Sequence, residues 1–200
     1  MTIAYELFGS LYLNLTNDCS CDCTFCERQN SEGMNPGESL WLDHDPSYEE
    51  IIAELKLLDF SKYKEIVFCG YGEPTCRLDM LLETARFLKS HQDRPIRLNT
   101  NGLGDLVYGN DKNDESIAPL MNGLIDSISI SLNAPDAESY NALCQPKYKG
   151  AYEALLKFAK DCKKYIPSVT LSVVAHTLDD EAIEKCRKIS DSMDIPLRLR

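Results

Sequence analysis

No stretch of this 200-residue sequence approaches the run of about 18 apolar residues that a membrane-crossing helix needs. The opening residues, Met1-Thr2-Ile3-Ala4-Tyr5-Glu6, lack the basic region of a secretory signal. Together these absences lead us to expect a cytoplasmic chain with no membrane partner. Bases are scarce, with 21 Lys and Arg against 32 Asp and Glu and a formal net charge of -11. A protein that tracks a nucleic-acid backbone needs a basic footprint, so nucleic acid is not an expected partner, although a local basic patch is compatible with that total. A disulfide framework is also not expected, because nine cysteines is an odd number and the expected compartment is reducing. Repeats, linkers and low-complexity tracts are lacking too. A chain of this length with 44% hydrophobic residues can bury one sizeable core, so a single domain is expected over residues 1–200.

What is present is an alternation of short β-rich runs with helical patterns, the mark of parallel βα units. Strands are expected at 10–16, 65–70, 96–100, 126–133, 169–175 and 196–200. Between them, apolar residues recur at helical spacing: Ile51, Ile52, Leu55 and Leu58; Leu78, Leu81, Leu82, Ala85 and Leu88; Leu155, Leu156, Phe158, Ala159 and Cys162; Ala182, Ile183, Cys186 and Ile189. Ser47-Tyr48-Glu49-Glu50 fits a capping box at the first helix start. Residues 102–114 are polar and rich in Gly, Asn and Asp, which predicts a loop before a short helix near 115–121.

Successive strand side chains point to opposite faces, and here the faces separate by polarity. Ile96, Leu98 and Thr100 oppose Arg97, Asn99 and Asn101; Ile128, Ile130 and Leu132 oppose Ser127, Ser129, Ser131 and Asn133; Leu197 and Leu199 oppose Arg198 and Arg200. Helices over the apolar face leave the polar face lining an interior suited to polar ligands. An antiparallel sheet with one wet face alternates in the same way, but helical segments between every pair of strands favour parallel order.

Cys19-Ser20-Cys21-Asp22-Cys23-Thr24-Phe25-Cys26 follows directly on the first expected strand, at the barrel rim where active sites of such folds sit. Soft thiolates at close spacing suit an iron-sulfur cluster, and three of them leave one iron open to other ligands. A zinc loop is the other reading. Its fourth ligand would come from His44 or Cys69, neither in a familiar zinc spacing, and Cys21 leaves the ligand assignment open.

The Cys-x3-Cys-x2-Cys spacing, with Phe25 directly before the last cysteine and the strand Leu11-Tyr12-Leu13-Asn14-Leu15-Thr16 before the first, resembles the radical S-adenosylmethionine superfamily. The resemblance implies an α/β fold, a partial (β/α)6 TIM-like barrel with six parallel strands, over nearly the whole chain. It implies a [4Fe-4S] cluster on Cys19, Cys23 and Cys26 whose open iron chelates S-adenosylmethionine. An electron from a donor such as flavodoxin or ferredoxin then releases methionine and a 5'-deoxyadenosyl radical, which takes a hydrogen from the substrate.

Gly70-Tyr71-Gly72-Glu73-Pro74 is similar to the family's Gly-Gly-Glu-Pro turn, with Tyr71 where a paired glycine is often found. By that likeness Gly72 allows close backbone approach, Glu73 accepts from the methionyl ammonium and Pro74 fixes the turn. Leu98-Asn99-Thr100-Asn101-Gly102 and Ser129-Ile130-Ser131-Leu132-Asn133 resemble two further family motifs. They bring Asn99 toward the ribose, and Ser131 and Asn133 toward the ribose or methionyl carboxylate. Phe25 joins the cofactor contacts, and His176, Arg198 and Arg200 stand where adenine or substrate is met, or are simply exposed. Cys144, Cys162 and Cys186 are expected as small core residues; Cys69 and Cys76 flank the glycine turn without an assigned role.

The Asn-Leu-Thr-Asn-x-Cys beginning resembles a small subgroup of radical enzymes associated with TatD-type hydrolases, which makes such a hydrolase a candidate partner. An open mouth suits a large substrate or a partner protein, and the substrate itself is not legible. Two other readings stay open: an activase that installs a glycyl radical on a partner, and a non-catalytic iron-sulfur or zinc scaffold, which would have no need of Glu73, Asn99 or Ser131.

Overall fold

The computed structural model describes residues 1–29, 39–109 and 115–200. Its strands are β1 (Ala4–Leu7), β2 (Ser10–Leu13), β3 (Ile66–Phe68), β4 (Ile96–Thr100), β5 (Ser127–Ser131), β6 (Ser168–Val173) and β7 (Leu197–Leu199). All seven form one sheet in sequence order. β2 to β7 run parallel, as the alternation predicts. The sheet does not close among the described residues, so the barrel is partial.

β1 is a strand that the sequence pattern did not announce. It pairs antiparallel with β2, Leu7 opposite Ser10. The turn between them is Phe8-Gly9, with φ of 52° and 74°, the left-handed pair that a two-residue hairpin requires.

The helices are α1 (Tyr48–Leu55), α2 (Leu78–His91), α3 (Gly104–Tyr108), α4 (Ala137–Cys144), α5 (Ala151–Tyr165) and α6 (Asp180–Met193). The capping box is formed: Glu50 N donates to Ser47 Oγ at 3.3 Å and Ser47 N to Glu50 Oε2 at 2.8 Å. One apolar layer joins the outward strand residues Leu11, Leu13, Phe68, Leu98, Ile130 and Leu171 to the buried helix faces. Fully burying a leucine- or isoleucine-sized side chain is worth about 1.5–3 kcal/mol, so this layer holds the helices on the sheet.

Two expectations need correction. Residues 102–114, read as loop, contain α3, and the helix expected near 115–121 is only a 3-10 turn at Ala118–Met121. Asp105 decides both. Its carboxylate accepts from Ile117 N at 2.8 Å and Ser116 Oγ at 3.2 Å, pinning the return of the chain onto α3. Residues 110–114 lie outside the described residues.

The interior is also not polar throughout. Tyr5, Tyr12, Leu40, Val67 and Tyr71 are buried together on it, with the Tyr5 and Tyr12 rings stacked at 5.2 Å. β1 supplies Tyr5, and without that strand the partner of Tyr12 is invisible. From β4 onward the polar expectation holds.

Candidate functional site

The chain leaves β2 at the C-terminal edge of the sheet and enters the cysteine loop. Backbone bonds tie this loop to the end of α4: Asp22 N to Cys144 O at 3.2 Å, Thr24 N to Leu143 O at 3.0 Å, and Lys147 N to Ser20 O at 2.9 Å. The Leu143 and Cys144 carbonyls lie at the last turn of α4, where no intrahelical donor reaches them, and the loop satisfies them. α4 starts on Asp136, whose carboxylate accepts from Ser139 N at 2.8 Å.

This docking sorts the four thiols. Cys21 is buried, 2% exposed, with its Sγ 3.9 Å from the Tyr140 hydroxyl, a packing position. Cys19, Cys23 and Cys26 are half-buried. Burial, helped by the nearby Glu73 carboxylate, pushes the Cys19 thiol up to about 12. Contact with the Cys144 thiol and burial raise Cys23 as well. Arg28 Nε donates to Cys26 Sγ at 3.3 Å, while its Nη2 reaches Cys21 O at 3.3 Å.

Among the described residues, no three His, Cys, Asp or Glu side chains converge on a point that could hold a metal ion. The donor set nonetheless suits an iron-sulfur cluster, being three soft thiols on one tethered loop. Cys23 leans on Cys144, a contact that loading would exchange for iron, while Arg28 already donates to Cys26 Sγ as it would to a thiolate ligand.

Across from the loop lies the Gly-Glu-Pro turn that follows β3. A Cβ placed on Gly72 would stand 2.2 Å from Thr16 O and 2.7 Å from Asp18 O, so only glycine lets this turn reach the start of the cysteine loop. Glu73 N donates to Asp18 O at 2.7 Å, closing the seam.

The Glu73 carboxylate is 4% exposed and accepts hydrogen bonds at both oxygens. Its Oε1 accepts from Thr75 N, Thr75 Oγ1 and Thr100 Oγ1 at 3.0, 2.8 and 2.7 Å, and its Oε2 from Asn101 N at 2.7 Å. Burial raises its proton affinity and these four donors oppose the rise. Both oxygens expected to meet an ammonium thus already hold the exit of β4 to the turn after β3.

Asn101, which the sequence places on the polar face without a role, completes the joint. Its Nδ2 donates to Ser20 Oγ at 2.7 Å and lies 3.8 Å from Cys19 Sγ. The signal for it was its position two residues beyond Asn99. Arg28 had no signal at all.

The remaining expected contacts face the interior or its rim. Asn99 Oδ1 accepts from Arg97 Nη1 at 2.8 Å, and Arg97 forks onto Glu65 at 3.0 and 3.1 Å. Ser131 Oγ accepts from Arg200 Nη2 at 3.1 Å. Asn133, 4% exposed with φ of 57°, lies 3.6 Å through Nδ2 from Cys144 Sγ, and its buried Oδ1 has no partner among the described residues. An unpaired buried carbonyl beside the cysteine loop is a position that a ligand donor would satisfy. Phe25 packs half-buried against the main apolar layer. His176 and Arg198 are exposed, while Cys144, Cys162 and Cys186 are core residues.

The family model described as the radical SAM superfamily matches residues 13–188. A protein named probable GTP 3',8-cyclase from Thermococcus kodakarensis is 25% identical over 173 residues, covering 84% of this chain and 50% of that protein. A GTP 3',8-cyclase from Corynebacterium glutamicum is 33% identical over 139 residues, covering 66% of this chain and 33% of that protein. The chain therefore spans a third to a half of the length of these curated relatives. Streptococcus suis SuiB bound to its precursor peptide SuiA superimposes with a TM-score of 0.68 at 16% identity, over 96% of this chain and 38% of SuiB. TYW1 with a lysine-pyruvate adduct gives 0.62 at 18% identity, over 96% of this chain and 65% of TYW1. These two likenesses concern the fold.

Proposed function

Because this chain belongs to the radical SAM superfamily, we propose that Cys19, Cys23 and Cys26 bind a [4Fe-4S] cluster and that the rim beside them binds S-adenosylmethionine. The protein is an enzyme, and its cofactors are those of its family. When bound, they supply a 5'-deoxyadenosyl radical for hydrogen abstraction.

The observation that carries the assignment is the seam between the cysteine loop and the Gly-Glu-Pro turn. Gly72 meets Thr16 and Asp18, Glu73 locks the turn to β4, and Asn101 returns from β4 to Ser20 and Cys19. Three separate strand ends are thereby held around one half-buried thiol. Such a rim orients a cofactor without side-chain rearrangement on the strands.

In this reading Gly72 presents backbone to the methionyl group, with Glu73 acting through the turn it holds. Asn99 and Ser131 offer polar atoms to the ribose side, Asn133 offers its unpaired Oδ1, and Phe25 shields the cluster edge. The setting is cytoplasmic, with an electron donor such as flavodoxin or ferredoxin. The GTP 3',8-cyclase relatives align over only a third to a half of their length, so their substrate is not transferred to this chain.

The test is anaerobic reconstitution with iron and sulfide. It is followed by electron paramagnetic resonance of the reduced protein with and without S-adenosylmethionine, and by chromatography for 5'-deoxyadenosine. The expected spectrum shifts on adding the cofactor, and 5'-deoxyadenosine forms; Cys23→Ala loses both, and Cys21→Ala keeps the cluster. No cluster, or one indifferent to S-adenosylmethionine, overturns the proposal.

A further inference from the structure

The interior face changes character between β3 and β4. On the β1 to β3 side it is filled largely by the Tyr5, Tyr12, Val67 and Tyr71 cluster. From β5 to β7 it is made of short hydroxyl side chains and guanidinium groups. Ser129 stands beside Thr170, Ser131 beside Ser172, and Ser172 beside Arg198. Ser172 is fully buried, its Oγ donating to Ile130 O at 3.4 Å, while Ser131 and Thr170 are half-buried, and a hydroxyl donates or accepts as a ligand requires.

The charge on this face is lopsided. Arg97 is neutralised by its fork onto Glu65. Arg198 and Arg200 have no carboxylate within ion-pair distance among the described residues. Arg200 Nη2 reaches across β6 to Ser131 Oγ at 3.1 Å, so its guanidinium leans over the interior. Arg198, two residues earlier, shares that face, and Arg97 and Arg198 both act electrostatically on Arg200. In a chain of net charge -11, this concave face carries two uncompensated cations. A concave surface of one sign concentrates ligands of the other.

We propose that this half of the barrel is the substrate pocket, and that the substrate carries oxyanion groups, phosphate or carboxylate, gripped by Arg198 and Arg200. The inference rests on the radical SAM reading of the rim above it and names the substrate class for that site. Guanidinium forks match the geometry of carboxylate and phosphate oxygens. Side chains two residues apart on a strand leave the backbone about 6.6–6.8 Å apart, a separation suited to two oxyanion groups on one molecule.

The experiment uses the enzyme reconstituted with its cluster and saturated with S-adenosylmethionine. Inorganic pyrophosphate and, separately, succinate are titrated into it by calorimetry at low and high salt. Binding of at least one, weakened by salt, is expected; pyrophosphate alone assigns a phosphate substrate and succinate alone a carboxylate one. Arg198→Gln should weaken binding about tenfold or more, the loss of one charge-assisted bond, and Arg198→Lys should weaken it less. The shift of the cluster spectrum on adding S-adenosylmethionine should survive in Arg198→Gln.

If neither probe binds an enzyme whose spectrum responds to S-adenosylmethionine, the oxyanion inference is overturned while the radical SAM reading stands. If Arg198→Gln abolishes that response, the arginine serves the cofactor and the inference is again overturned. A wild-type spectrum indifferent to S-adenosylmethionine overturns the proposed function and this inference with it.

Discussion

The backbone N–H of Asn101 donates to Glu73 Oε2 at 2.7 Å, so a buried carboxylate on the turn after β3 holds the chain as it leaves β4. Because Oε1 already accepts from Thr75 and Thr100, neither orientation of an amide fits the site. Glu73→Gln sets an N–H against a donor whichever way it turns. The expected cost is about 1–3 kcal/mol, the penalty for an unsatisfied buried group. Urea unfolding of the purified variant measures it; a stability equal to wild type would show that the carboxylate does not hold the seam.

Gly72 admits no side chain, because the two atoms nearest an added Cβ are backbone oxygens that cannot move aside cheaply. Gly72→Ala is therefore expected to cost about 1–3 kcal/mol, as overpacking does, and to push the turn off Thr16 and Asp18. Iron content after reconstitution should fall while circular dichroism keeps its helical signal. Full iron loading in this variant would contradict the close approach.

Arg28 joins Cys26 Sγ at 3.3 Å to the loop backbone at Cys21 O, also at 3.3 Å. A cation and hydrogen-bond donor at a cluster sulfur favours the reduced state, because reduction adds negative charge. Arg28→Gln should lower the midpoint potential of the reconstituted cluster, and Arg28→Lys should restore part of the shift. Redox titration followed by electron paramagnetic resonance reads both, and an unchanged potential in Arg28→Gln assigns the residue to loop packing alone.

Burial raises the Cys76 thiol from 9.0 to about 12 and, with the Asp136 charge, the Cys186 thiol from 9.0 to about 11. The folded chain thus holds these protons more tightly than the unfolded one. Below about 9 both states are protonated and the contribution is complete; as pH rises through 11 to 12 the unfolded chain ionises first and stability falls. Thermal unfolding in reductant should show a declining Tm above pH about 9. Cys186→Ala should flatten part of that decline, and an unchanged slope would mean that this thiol titrates alike in both states.

The strands β2 to β7 and the long helices were legible because period-two and helical spacing are carried by the residues themselves. Ile96, Leu98, Ile128, Ile130 and Leu132 all reach the apolar layer that their alternation assigns. β1 was not legible, since its four residues become a strand only when Phe8-Gly9 turns them onto β2. α4 was missed for a related reason. Only Tyr140 and Cys144 of its eight residues are buried, and its last carbonyls are satisfied by the cysteine loop, far away in sequence.

By itself the sequence determined the chemistry: three closely spaced thiols, a Gly-Glu-Pro turn and polar strand ends, whose character depends on residue type and local spacing. Only the tertiary structure decided how those parts are used. It buried Cys21 against Tyr140 and brought Arg28 onto Cys26. It made Glu73 the tie between two strand ends, and left Arg198 and Arg200 without a carboxylate among the described residues. Each of these depends on which distant groups share a small volume, and local spacing carries no record of that.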